Sequence, residues 1–134
     1  MVDGTTGPDG RDDSGARRTT EAPALDDRFS VPLRGVAVDG ETRCAHWDSD
    51  VDVVALRFGC CETFYPCFQC HAETTTHEPE VWPRERFDEP AVLCGGCRST
   101  MTAREYLACE DVCPRCGAQF NPGCRKHRDR YFER

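Results

Sequence analysis

Apolar residues fall in short, separated groups along this chain, and each group predicts a short element. Val51 to Phe58 reads Val-Asp-Val-Val-Ala-Leu-Arg-Phe, a β-branched, partly alternating run of the kind that forms a strand. It leads directly into Cys60 and Cys61. Phe64 to Phe68 follows closely enough to return beside it as a hairpin, and Glu89 to Leu93 predicts another short strand that delivers Cys94. Thr102 with Glu105 three positions later forms a capping-box pattern, in which hydroxyl and carboxylate each take up a free N–H at a helix start. Tyr106 and Leu107 give that one short helix an apolar edge. No stretch approaches the roughly 18 apolar residues of a membrane span, so no membrane role is expected.

Before Leu25 and Phe29 the chain mixes Gly, Asp, Thr, Pro and Arg with almost no apolar residue. Such a segment buries too little surface to offset its ordering entropy. We therefore expect a disordered polar tail over 1–34 and an ordered domain over 35–134. The start lacks a basic stretch followed by an apolar run, so no secretory leader is expected, and the sequence reads as cytoplasmic.

The chain has 134 residues, with eleven Cys and four His. A core this thin would be marginal without cross-links, and in a reducing compartment the cross-links are metal sites rather than disulfides. An odd cysteine count also leaves one thiol over in any all-disulfide scheme. The expected fold is thus a small zinc-stabilised domain of short β-hairpins, zinc knuckles and one short helix.

Cys94-Gly-Gly-Cys97 and Cys113-Pro-Arg-Cys116 form the plainest ligand signal. A Cys-x-x-Cys turn lets two sulfurs converge on one ion, and two such turns at this separation make a closed Cys₄ tetrahedron. Gly95, Gly96 and Gly117 relieve the strain of these turns. Upstream lie Cys44 and His46, Cys60 and Cys61, Cys67, Cys70 and His71, and His77, enough for two more sites. Cys67 and Cys70 form a knuckle and share an ion. Adjacent residues of an extended chain point to opposite sides, so Cys60 and Cys61 are expected to serve different ions, as are Cys70 and His71. Cys124 and His127 add a half-site near the end. About three zinc ions are expected, with Cys109, which has no chelating neighbour, as the leading spare thiol and one of Cys60 and Cys61 as a candidate second.

The order Cys44-x-His46-Trp47, Cys60-Cys61, Phe64-Tyr65-Pro66-Cys67-x-x-Cys70-His71, His77, Cys94-x-x-Cys97 and Cys113-x-x-Cys116 resembles the CHY-type zinc finger family. The ending Phe120-Asn121-Pro122-x-Cys124-x-x-His127 with Tyr131-Phe132 resembles the small stand-alone members. The likeness runs from about Gly35 to Glu133, with Trp47 where the family name calls for Tyr. It implies a domain that binds about three zinc ions. Larger eukaryotic relatives carry it beside a RING domain in ubiquitin ligases, and a small mitochondrial relative helps zinc-sensitive translocase chaperones to assemble. No RING-length segment follows His127, so ligase activity is not expected.

Net charge is −7, and the basic residues are all Arg except Lys126. That composition resembles proteins of salt-adapted archaea. An acidic domain is a poor binder of phosphate backbones, so nucleic acid is not an expected partner. Arg125, Lys126, Arg128, Arg130 and Arg134 keep it as a minor alternative. Hydrolysis is disfavoured because His71 and His77 lack the His-Glu-x-x-His spacing, although Glu73 and Glu78 flank them. The leading expectation is a non-catalytic module in which zinc shapes a surface for an unidentified protein partner, with Trp82, Tyr131 and Phe132 either as candidate contacts or, equally, as core residues packed on the knuckles. The alternative is a zinc- or thiol-handling assembly factor.

Overall fold

The computed structural model describes residues 16–133, and of Cys124 and Arg125 the backbone alone. Arg18–Thr20 (β1) and Gly35–Val38 (β2) pair antiparallel as a two-stranded sheet. Val54–Arg57 (β3), Phe64–Tyr65 (β4), Pro90–Cys94 (β5) and Thr100–Thr102 (β6) form a four-stranded antiparallel sheet in the order β4-β3-β5-β6. Three short helices, Phe68–Thr74 (α1), Ala103–Ala108 (α2) and Pro122–Lys126 (α3), and two 3-10 turns complete the described chain. The small domain of hairpins and knuckles is as the sequence predicts, although it expects one short helix where three occur.

Strand β3 sits inside the larger sheet, and consecutive Val54, Ala55 and Leu56 are all buried, so both of its faces are covered. The hairpin from β3 into β4 pairs Leu56 with Tyr65, and β5 lies on the other side with Val54 opposite Cys94. This register sets the first knuckle at the end of the sheet. Helix α1 packs on β2 and β4, and α2 packs on β5 and β6.

Helix α2 begins as expected. The Thr102 hydroxyl accepts from the Glu105 N–H at 3.0 Å and the Glu105 carboxylate accepts from the Thr102 N–H at 2.9 Å. That backbone bond holds the Glu105 carboxyl below its usual range. Thr102→Ala is expected to cost about 1 kcal/mol, read by chemical denaturation at saturating zinc.

The expected tail is corrected over its second half. Residues 1–15 lie outside the described residues, but Arg18–Thr20 pairs with β2, and Phe29 and Leu33 are buried. The segment is held by a buried ion pair rather than an apolar run. Arg28 lies 2.6 Å from Asp26, with side chains almost wholly enclosed. Burial opposes ionisation of Asp26, yet the Arg28 hydrogen bonds keep its carboxyl below the usual range. Arg98 then clamps the segment, donating to the Arg28 and Gly40 carbonyls at 2.9 and 2.8 Å and stacking 4.7 Å from the Phe29 ring centroid.

Of the two roles expected for Trp82, Tyr131 and Phe132, the structure gives them that of core. Trp82 is 0% exposed, Tyr131 4% and Phe132 1%. The C-terminal segment is stitched beside Trp82, whose N–H donates to the Tyr131 carbonyl at 2.8 Å while its own carbonyl accepts from Glu133 at 2.9 Å. Guanidinium groups of Arg86 and Arg57 lie 4.1 and 4.8 Å from the Trp82 ring, a cation–π arrangement that suits an enclosed indole. A domain short of aliphatic residues uses these rings to fill its interior.

Candidate metal centre

Twelve of the fourteen candidate ligands converge in three groups of four, and within each group the donor atoms lie within 4.8 Å of one another. The first is Cys44, His46, Cys67 and Cys70; the second is Cys60, Cys61, His71 and His77; the third is Cys94, Cys97, Cys113 and Cys116. A zinc tetrahedron with Zn–S of ~2.3 Å and Zn–N of ~2.0–2.1 Å has edges of about 3.8 Å between sulfurs, 3.5 Å between sulfur and nitrogen, and 3.3 Å between nitrogens. The observed separations match these edges.

In the first site the Cys44 and Cys67 sulfurs are 3.7 Å apart, and His46 Nδ1 lies 3.6, 3.3 and 3.6 Å from the sulfurs of Cys44, Cys67 and Cys70. In the second, Cys60 and Cys61 sulfurs are 3.7 Å apart, Cys60 is 3.3 Å from His71 Nε2, and the two histidine Nε2 atoms are 3.1 Å apart. In the third, Cys94 lies 3.7 Å from Cys116 and Cys97 lies 3.9 Å from Cys113. Disulfide sulfurs would stand about 2.05 Å apart. The ten described cysteines are free thiols.

Electrostatics supports the same assignment. Hydrogen bonds from Cys67 and Cys70 lower the Cys44 thiol well below the usual thiol range, while the neighbouring Cys44 pushes Cys67 and Cys70 well above it. One thiolate is thus tolerated and the next are refused. A divalent cation resolves this, since it binds all three sulfurs as thiolates. In the second site burial, then the charge of His77, pushes His71 down to about 4, leaving the neutral imidazole that a metal requires. Zinc therefore fits all three donor sets, about three ions per chain.

Local structure explains the convergence. Cys67 immediately precedes α1 and Cys70 lies in its first turn, so the Cys67-x-x-Cys70 chelate is made by a helix start. The Tyr131 hydroxyl accepts from the free Phe68 N–H at 3.3 Å and so steadies that start. Cys70 and His71 serve different sites, as expected, although on a helix rather than an extended chain. The expectation for Cys60 and Cys61 is corrected: both serve the second site. They occupy the β3–β4 turn, where Glu62 takes φ 52° and its N–H closes onto the Phe58 carbonyl at 2.8 Å. The extended geometry that would alternate their side chains is absent there.

The two knuckles of the third site are built alike. Cys94 N donates to Ser99 O at 2.9 Å and Cys113 N to Ala118 O at 2.8 Å; Arg98 and Gly117 close the turns onto the Cys94 and Cys113 carbonyls at 2.7 and 3.0 Å. The closing residue is left-handed in both, at φ 62° for Arg98 and 81° for Gly117. Glycine takes that conformation freely, whereas a side chain costs roughly 1–2 kcal/mol; Arg98 offsets it by clamping the N-terminal segment. Gly95 is needed for a different reason, because a Cβ there would collide with the Glu41 carbonyl oxygen.

His127 is exposed and joins none of the three groups among the described residues; its imidazole lines a crevice with Trp47, Phe68 and Tyr131. The Cys124 side chain lies outside the described residues. Cys109 stands apart, its thiol directed at the Tyr106 carbonyl at 3.1 Å. Glu73, which the sequence suggests only as a possible base, lies with Oε2 2.5 Å from His46 Nε2. Its i, i+3 spacing from Cys70 was the available signal.

The model of the CHY zinc finger family matches residues 44–126. An uncharacterized protein of Schizosaccharomyces pombe is 47% identical over 106 residues, covering 79% of this chain and 93% of the relative. Proteins named Helper of Tim protein 13 are 40% identical over 113 residues in Saccharomyces cerevisiae and 44% over 100 residues in Kluyveromyces lactis, covering 78% and 75% of this chain and 93% and 87% of the relatives. These relatives are fungal and give the salt-adapted archaeal reading of the composition no support. By its ligand array and by these likenesses, the chain belongs to the CHY zinc finger family.

Proposed function

We propose that this protein is a non-catalytic zinc module that binds another protein and helps it to assemble. The observation that carries the proposal is coordination: each site offers four protein donors. An ion so held has no position for water or substrate, and zinc chemistry needs one. Zinc then acts through the shape it gives the surface. The name Helper of Tim protein 13, borne by two of the relatives, supports a Tim protein as partner. It also favours a place beside protein-import machinery over the cytoplasm. No helix among the described residues is long and apolar enough to cross a membrane.

With the three expected aromatics buried, the contact role passes to Trp47, which is 42% exposed. It stands at a crevice whose walls include Val54, Pro66, Phe68 and Tyr131. Two measurements test the proposal. In the cobalt-loaded protein, azide is expected to leave the visible spectrum unchanged; a shift would reveal an open position and sink the non-catalytic reading. In calorimetric titration with a purified Tim protein, Trp47→Ala is expected to weaken binding roughly tenfold or more, and absence of binding by the parent would refute the partner.

A second reading, zinc or thiol handling during such assembly, is favoured by the exposed Cys116 in the third site and the half-buried, unligated Cys109. Withdrawal of one ion by a mild chelator from a domain that stays folded would favour it.

A further inference from the structure

We propose that Glu73 is a positioning residue for the first zinc site: its carboxylate holds the outer nitrogen of His46 and so keeps the inner nitrogen aimed at the ion. His46 is the weak point of that site. Its three cysteines are buried, whereas the histidine is partly exposed and sits in a loop between Ala45 and the exposed Trp47. Rotation of the ring would carry Nδ1 away from the sulfurs and open the tetrahedron.

The geometry fixes the tautomer. Nδ1 faces all three sulfurs at 3.3 to 3.6 Å, so it offers its lone pair to the ion. The ring proton then sits on Nε2, which donates to Glu73 Oε2 at 2.5 Å. A carboxylate in this place both locks ring orientation and raises the donor strength of the ligating nitrogen.

The arrangement follows from the phase of α1. Cys70 and Glu73 are three residues apart in Phe68–Thr74 and share a face, so one stripe of a helix supplies a ligand and the group that orients another ligand. His71, on the next position, turns to the second site. There, among the described residues, the outer nitrogen of His71 has the Thr75 hydroxyl at 3.5 Å and no carboxylate partner. Among the described residues, carboxylate support of a ligating histidine occurs at the first site alone.

The three sites have different donor sets, S₃N, S₂N₂ and S₄, and cadmium-113 resonances separate such sets. The experiment loads the full chain with cadmium and follows each resonance during competition with a chelator, in the parent, Glu73→Ala and Glu73→Gln. In Glu73→Ala the S₃N ion is expected to leave at a chelator concentration roughly 10 to 100 times lower than in the parent. Glu73→Gln, which keeps the size and a weaker acceptor, should fall between. The S₂N₂ and S₄ ions should be unmoved. A purely structural role for Glu73 would weaken all three sites alike, and either that result or an unchanged S₃N ion overturns the proposal.

Discussion

Removal of all zinc by a strong chelator is expected to unfold the whole described domain as one unit, the N-terminal segment included. Each ion joins separate segments of the chain. The first ties the 44–46 loop to α1, the second ties the β3–β4 turn to α1 and His77, and the third ties the end of β5 to the 113–116 turn. Strands of two to five residues cannot replace those ties. Structural zinc contributes on the order of 10–16 kcal/mol per site in zinc-finger peptides, while a whole domain is stable by about 5–15 kcal/mol. The N-terminal segment should follow because Arg98, which clamps it, stands next to the ligand Cys97. Amide dispersion in a ¹⁵N–¹H correlation spectrum is the measurement. Dispersion that persists after complete metal removal would show that the aromatic core suffices without zinc.

Cys113→Ser is expected to remove one zinc per chain and destabilise the C-terminal half, whereas Cys109→Ser leaves all three ions in place. Cys113 is buried and faces three other thiols. A hydroxyl is a poor zinc ligand, so the substitution leaves a three-thiolate site that water must complete. Cys109 is half-buried, and its thiol donates to a carbonyl that a serine hydroxyl can also reach. Its loss costs at most roughly 1–2 kcal/mol of packing. Elemental analysis per chain separates the two results. Equal metal loss in the two variants would make Cys109 a ligand and overturn the grouping.

What was legible in the sequence is what local pattern controls. The β-branched apolar run from Val51 to Phe58 marks β3, the spacing of Thr102 and Glu105 marks the start of α2, and the two Cys-x-x-Cys turns mark the third site. Helix α1 was hidden because its buried residues are Cys70, His71 and Thr74, which make no apolar stripe; its interior side is ligand rather than hydrocarbon. The 16–34 segment was hidden for a similar reason, since Asp26 and Arg28 are polar in sequence and become interior by pairing with each other. Cys60 and Cys61 fall in one group because the extended conformation that would part their side chains gives way to a turn. The burial of Trp82 depends on Arg57, Arg86 and the C-terminal residues that cover it, and no local window contains all of them.

The ligands of the first two sites interleave along the chain: 44 and 46, then 60 and 61, then 67 and 70, then 71 and 77. Tandem zinc fingers complete one site before starting the next, so a gene can gain or lose them singly. Here a break anywhere between His46 and Cys67 divides the first site, and a break between Cys61 and His77 divides the second. Neither can be inherited, duplicated or excised without the other. The stretch 44–77 is therefore a single folding unit, and a residue inserted at the peptide bond joining Cys70 and His71, where the two sites meet, is expected to disturb both at once.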